Sequence, residues 1–177
     1  PMYPEVSYSR ELEEIFSKLD NMILQRGESR LKKEERIEML RNRIDMRASL
    51  EERFHTNKVL YEEYYVYNAD SAMAYVSDNL RIASLLKRKD WEYTWKINKS
   101  FLLSATGLLK EAEDELKDIP VQKLSDNAKV DYYSQMQYLL SHFSQYTGSE
   151  SEAVQRSYLD KELLYRDSVY MVAHPDH

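Results

Sequence analysis

Residues 90–120, DWEYTWKINKSFLLSATGLLKEAEDELKDIP, decide the fold. Trp91, Trp95, Leu102 and Ala105 fall on one line at helical spacing, with Ile97 and Phe101 beside them, and the pattern stops at Gly107. It then resumes: Leu108, Leu109, Ala112, Leu116 and Ile119 keep steps of three and four until Pro120 closes the run. Apolar residues at a period near 3.6 on both sides of a short glycine-bearing link describe two amphipathic helices folded back on each other. Asp90, at the head of the first run, is the expected N-cap.

The same unit recurs on either side. Upstream, Ser49-Leu50-Glu51-Glu52 has the form of a capping box and opens a helix with Leu50, Phe54, Leu60, Tyr61, Tyr64 and Tyr67 inward. After a turn at 68–70, Asp70 or Ser71 is the expected cap of a helix that buries Ala72, Tyr75, Val76, Leu80, Ala83 and Leu86. Downstream, Ser125 or Asp126 caps a helix carrying Tyr132, Met136, Leu139, Leu140, Phe143 and Tyr146, closed by Gly148. Ser149 and Glu152 form a second capping box, before a helix whose buried side is Val154, Tyr158, Leu159, Leu163 and Tyr165. The hairpins therefore span 49–87, 90–119 and 125–168. Their starts at Ser49, Asp90 and Ser125 lie 41 and 35 residues apart, in or near the window of helix-pair repeats.

Two further helices precede them. Leu12, Ile15, Phe16, Leu19, Met22 and Ile23 mark one from Ser9 to Gln25, expected to stop before Gly27. A mostly charged one from Glu28 to Arg47 carries a narrow stripe of Leu31, Ile37, Leu40 and Ile44. The expected fold is all-α: an α-solenoid of three hairpins after a two-helix lead-in (9–47), one domain over 1–177. A start at Pro1 and an apolar stretch opening at Met171 point to a piece of something longer.

Composition agrees. The 177 residues include only three Gly and four Pro, so breakers are scarce and long helices are permitted. A net charge of −6 with both signs interspersed offers phosphate backbones no attractive field, which argues against direct nucleic-acid binding. The absence of cysteine removes disulfides and thiolate metal sites. No run of 18 apolar residues occurs, so any membrane attachment has to come from regions outside this segment.

Within the second hairpin, Ser100, Leu103, Gly107, Ala112, Leu116 and Pro120 resemble the tetratricopeptide pattern, where small residues let paired helices approach closely. Ala72 takes the small-residue role in the first hairpin, and the third matches less well. Beyond the repeat, several segments stand in an order similar to a family of membrane-anchored Bacteroidetes-type regulators: Leu12 to Arg26, Lys32 to Arg43, Leu60-Tyr61-Glu62-Glu63-Tyr64, Asp70-Ser71-Ala72, Ala105 to Ala112 and Tyr165-Arg166-Asp167-Ser168. That resemblance implies an export signal, an extracytoplasmic tetratricopeptide-like region, one membrane helix and a cytoplasmic helix-turn-helix output. This chain would then be the periplasmic segment of a transcriptional regulator.

Catalytic chemistry finds no foothold. The three glycines stand singly, so there is no phosphate-cradling loop, and neither a cysteine nucleophile nor a Gly-x-Ser-x-Gly elbow exists. His174 and His177 are separated by Pro175 in what reads as a tail, and His55 and His142 read as boundary residues with satisfied ring nitrogens. Acidic pairs such as Glu51-Glu52 and Glu62-Glu63 are adjacent and do not share a helical face. No enzyme, metal or cofactor is expected.

What stands out is tyrosine, fifteen of them. Tyrosine is favoured where one edge is packed and the other wet. In stacked helix pairs the first helices share one surface, which makes Tyr65, Tyr93, Lys96 and Tyr133 the candidate contact residues for a protein or peptide partner, or for a glycan. The reading is a non-enzymatic interaction or sensory module, with a homodimer through the charged helix as one route to signalling. A cytoplasmic adaptor is the alternative.

Overall fold

A computed structural model describes residues 5–43, 48–147 and 152–174. These form seven α-helices and one 3-10 turn, with no strand among the described residues. The expected closures at Gly148 and Arg47, the Ser149 side of the second capping box and His177 lie outside them. Where one folding unit is expected, the chain divides into two, Pro1–Arg47 and Ala48–His177.

The first unit is one helix, α1 (Glu5–Arg43), and not the two helices expected from Gly27. A glycine in a helix interior costs only about 1 kcal/mol relative to alanine, which a long run of good formers on both sides absorbs. A Cβ added at Gly27 would meet nothing within 4 Å. Arg30 and Glu34 pair one turn apart at 2.9 Å. The stripe of Leu12, Phe16, Leu19 and Ile23 is exposed.

The second unit holds the three pairs: α2 (Leu50–Tyr64) with α3 (Ala69–Leu85), α4 (Lys89–Ala105) with α5 (Leu109–Leu116), and α6 (Asp126–Thr147) with α7 (Glu152–Ala173), the 3-10 turn Val121–Lys123 joining the second pair to the third. Each pair packs internally, and α3 against α4 and α4 against α6 join pair to pair. The capping box opens α2 as expected: Ser49 Oγ accepts from Glu52 N at 3.2 Å, and the Glu52 carboxylate accepts from Ser49 N at 2.8 Å. These contacts hold the Glu52 carboxyl below its ordinary range. Two expected caps move. Asn68, rather than Asp70 or Ser71, caps α3, its side chain accepting from Ser71 N at 3.0 Å. Asp90 sits in the first turn of α4 and takes both arms of the Arg88 guanidinium, so the helix has no side-chain cap.

Two cores result. In the first, Phe54 stacks on Trp91 with centroids 3.8 Å apart, and Trp95, 2% exposed, meets Phe54 and Tyr61 edge-on. Burial pushes the Tyr61 phenol up. The second gathers Ile97, Leu109, Ala112, Leu116, Ile119, Leu124 and Leu139. Ala72 and Ala112, the small positions of the repeat pattern, are fully buried and allow the close approach expected of them. Gly107 adopts φ +85° between α4 and α5, a conformation alanine reaches only at a cost.

The expected buried side of α7 is different in the structure. No residue of α7 is buried, and Val154, Leu159 and Leu163 are exposed, while Tyr158 stacks on Phe143 of α6. The reason is positional: α7 packs on α6, and no further helix pair follows among the described residues. A repeat helix is half-covered unless the next repeat arrives.

Candidate functional site

The site is built on the first helices of the pairs, α2, α4 and α6. An aromatic line crosses all three. Tyr61 stacks on Tyr65 at 5.6 Å, Tyr65 meets Phe101 edge-on at 6.0 Å, Phe101 lies 5.4 Å from Tyr138, and Tyr138 covers His142 at 4.2 Å. The His142 ring is positioned by its Nδ1 at 2.9 Å from the Tyr138 carbonyl oxygen, the satisfied nitrogen expected of it.

Beneath this line lies an open groove of about 380 Å³ between α4 and α6, floored by Ile97. Asn98 and Phe101 form one wall, and Asp131, Ser134, Gln135 and Tyr138 the other. The spacing of the second wall, i, i+3, i+4, i+7, is one face of a helix.

Gln135 is 4% exposed, and its amide Nε2 donates to Ser100 Oγ and Ser104 Oγ, each at 3.0 Å. Ser104 spends its own hydrogen on the Ser100 carbonyl at 2.9 Å, so it can only accept from Gln135. This fixes which end of the amide is which. Among the described residues none donates to Gln135 Oε1. Among the described residues no fully buried side-chain polar atom lacks a partner, so this oxygen keeps some access to solvent, and Gln135 lines the groove. Among the described residues none hydrogen-bonds the Asp131 carboxylate. Neighbouring protein strips enough of its hydration to push its carboxyl above the ordinary aspartate range, with Lys58 of α2 pulling the other way. Lys58 itself is exposed and 3.9 Å from Glu62.

Of the four candidate contacts, Tyr65 belongs to the aromatic line. Tyr93 packs against the second core, Lys96 is half-buried on α4, and Tyr133 lies beside Tyr132 and the α7 residue Tyr165, at 5.7 and 6.0 Å. Tyr93 and Lys96 stand one turn apart on α4. Phe101, Tyr138, Asp131 and Gln135 are the groove residues that sequence reasoning left out.

A second polar cluster is structural. Asn57 Nδ2 donates to Asp78 Oδ2 at 2.7 Å and to Asn79 Oδ1 at 2.9 Å, and Asn79 Nδ2 donates to the Phe54 carbonyl at 3.0 Å. Burial alone would raise the Asp78 carboxyl, but hydrogen bonds from Arg81, Asn57 and Arg53, with the Arg53 charge, hold it below the ordinary range. The cluster ties α2 to α3 through these bonds. No group of His, Asp or Glu among the described residues is placed to hold a metal ion, and none of the described helices is long and apolar enough to cross a membrane.

Three helix pairs in series, α3 packing on α4 and α4 on α6, with small residues at the close approaches, define a tetratricopeptide-type repeat domain, the class of a protein-interaction module. The family model described as the SusR N-terminal TPR domain matches residues 23–177, and the chain belongs to that family. Neither a curated protein nor a solved structure matches it.

Proposed function

We propose that this domain is the extracytoplasmic sensory input of a membrane-anchored transcriptional regulator, and that it senses by holding an extended peptide across α2, α4 and α6. The observation that carries the binding part is the aromatic line from Tyr61 to His142, whose Phe101 and Tyr138 also line a groove bearing the Asp131 carboxylate and the Gln135 amide. Aromatic rings give contact area at little entropic cost, and unpaired amide and hydroxyl groups suit a peptide backbone. The regulator context rests on the family and on the segment order described above.

Selection of a displayed random peptide library on the purified domain tests the first part. Enriched sequences that lose binding to a Phe101→Ala/Tyr138→Ala variant support it, and enrichment indifferent to that variant removes it. A fusion of alkaline phosphatase to the end of this domain, in the gene as it stands in its host, tests the second. Active enzyme supports export, and an inactive, stable fusion favours the cytoplasmic adaptor.

A further inference from the structure

Beside Asn98, Ser134 and Tyr138, which can both donate and accept, the groove carries two groups that only accept, the Gln135 amide oxygen and the Asp131 carboxylate. Gln135 Oε1 is held open because both amide hydrogens are committed to Ser100 and Ser104, and that geometry is locked by the Ser104 bond to the Ser100 carbonyl. The Asp131 carboxylate lies one turn towards the N-terminus of the same face, and the rings of Tyr138 and Phe101 close the other end. A carboxylate, an amide oxygen and aromatic faces are three kinds of negative potential. A donor-only group of positive charge complements all three, whereas a carboxylate or phosphate would meet repulsion from each. Lys58 of α2, whose charge acts on Asp131, is exposed and 3.9 Å from Glu62.

We infer that the α4–α6 groove is a subsite for a lysine or arginine side chain of the bound peptide, the cationic head lying between Asp131 and Gln135 Oε1 with its stem along Phe101 and Tyr138. This rests on the peptide-binding reading of the same surface and adds the charge of the residue it selects. The stem is covered by the rings while the head stays near water, as amphipathic side chains prefer. Asn98 and Ser134, at the rim, are left for the peptide backbone.

The test uses the whole domain, ¹⁵N-labelled, titrated with acetylated and amidated alanine-based hexapeptides carrying one central lysine, arginine, norleucine, citrulline or glutamate. Lysine and arginine peptides are expected to shift the backbone amides of 98–101 and 131–138 and to bind roughly tenfold tighter than norleucine or citrulline. Asp131→Asn, an exposed and nearly isosteric change checked by circular dichroism, should bring the lysine-to-norleucine ratio close to one without weakening norleucine. Equal binding of lysine and norleucine peptides at these amides overturns the charge assignment and leaves the peptide groove standing. A preference for glutamate also overturns it. No shift at these amides with any peptide overturns the groove reading itself.

Discussion

Asn79→Ala probes the bond between α2 and α3 most sharply. Asn79 is fully buried, donating to the Phe54 carbonyl at 3.0 Å and accepting from Asn57 at 2.9 Å. Two neutral buried hydrogen bonds are lost, about 1 kcal/mol each, and one Asn57 hydrogen is left unsatisfied, adding about 1 kcal/mol more. The total is about 3 kcal/mol, an upper figure because Asn57 keeps its bond to Asp78. Urea denaturation followed by tryptophan fluorescence reads it cleanly, since Trp91 and Trp95 both report on the first core. The midpoint should fall with the slope unchanged. Asn57→Ala and the double variant complete a cycle whose coupling should be about 1 kcal/mol. A loss under about 0.5 kcal/mol, or a coupling of zero, refutes the claim that this pair holds the helices together.

Three further outcomes follow from local geometry. Gly107→Ala should cost about 1 kcal/mol, because the left-handed backbone is the whole penalty and a Cβ there meets nothing within 4 Å. Gly27→Ala, inside α1, should instead raise helicity by circular dichroism and stabilise α1 by about 1 kcal/mol, an outcome incompatible with a helix break at 27. Ser49→Ala should cost about 1 kcal/mol through loss of the capping box, with urea midpoints as the check. On pH, the Asp78 carboxyl titrates below its unfolded value, so its contribution is complete above that value and disappears as pH falls through the folded pKa. Stability measured from about pH 5 down to about pH 2 should therefore fall more steeply for the wild type than for Asp78→Asn.

The elements were legible because their signals are local. Ser49 and Glu52 carry their own partners in four residues, and the apolar period of 90–120 survives any packing. Caps were harder where several competent residues stand together, as Asn68, Asp70 and Ser71 do; the choice depends on where the chain leaves the preceding helix. Gly27 misled because a breaker acts only when its neighbours are weak helix formers. The exposed side of α7 could not be read from its own residues, since its period is that of a buried helix and its exposure reflects what packs beyond it.

The candidate site was half legible for a related reason. A tyrosine in a helix announces an interface but not which one, and the direction is set by how the helix is rotated in its pair. Tyr133 and Tyr138 stand five positions apart, about 140° around α6, so one faces α7 and the other the groove. The orientation of the Gln135 amide is set by Ser100 and Ser104, 35 and 31 residues away in the chain. No sequence pattern spaces those three residues in a recognisable way.

The central claim is that the shared face of α2, α4 and α6 is the recognition surface. Its most direct test is the affinity of one library-selected peptide for the wild type and for Phe101→Ala/Tyr138→Ala, with thermal unfolding recorded alongside. Two exposed-edge rings of a well-formed anchor contribute roughly 1–2 kcal/mol each, so the dissociation constant should rise on the order of 30-fold or more. The folded domain should persist. Unchanged affinity in a variant that unfolds like the wild type would place recognition elsewhere on the molecule.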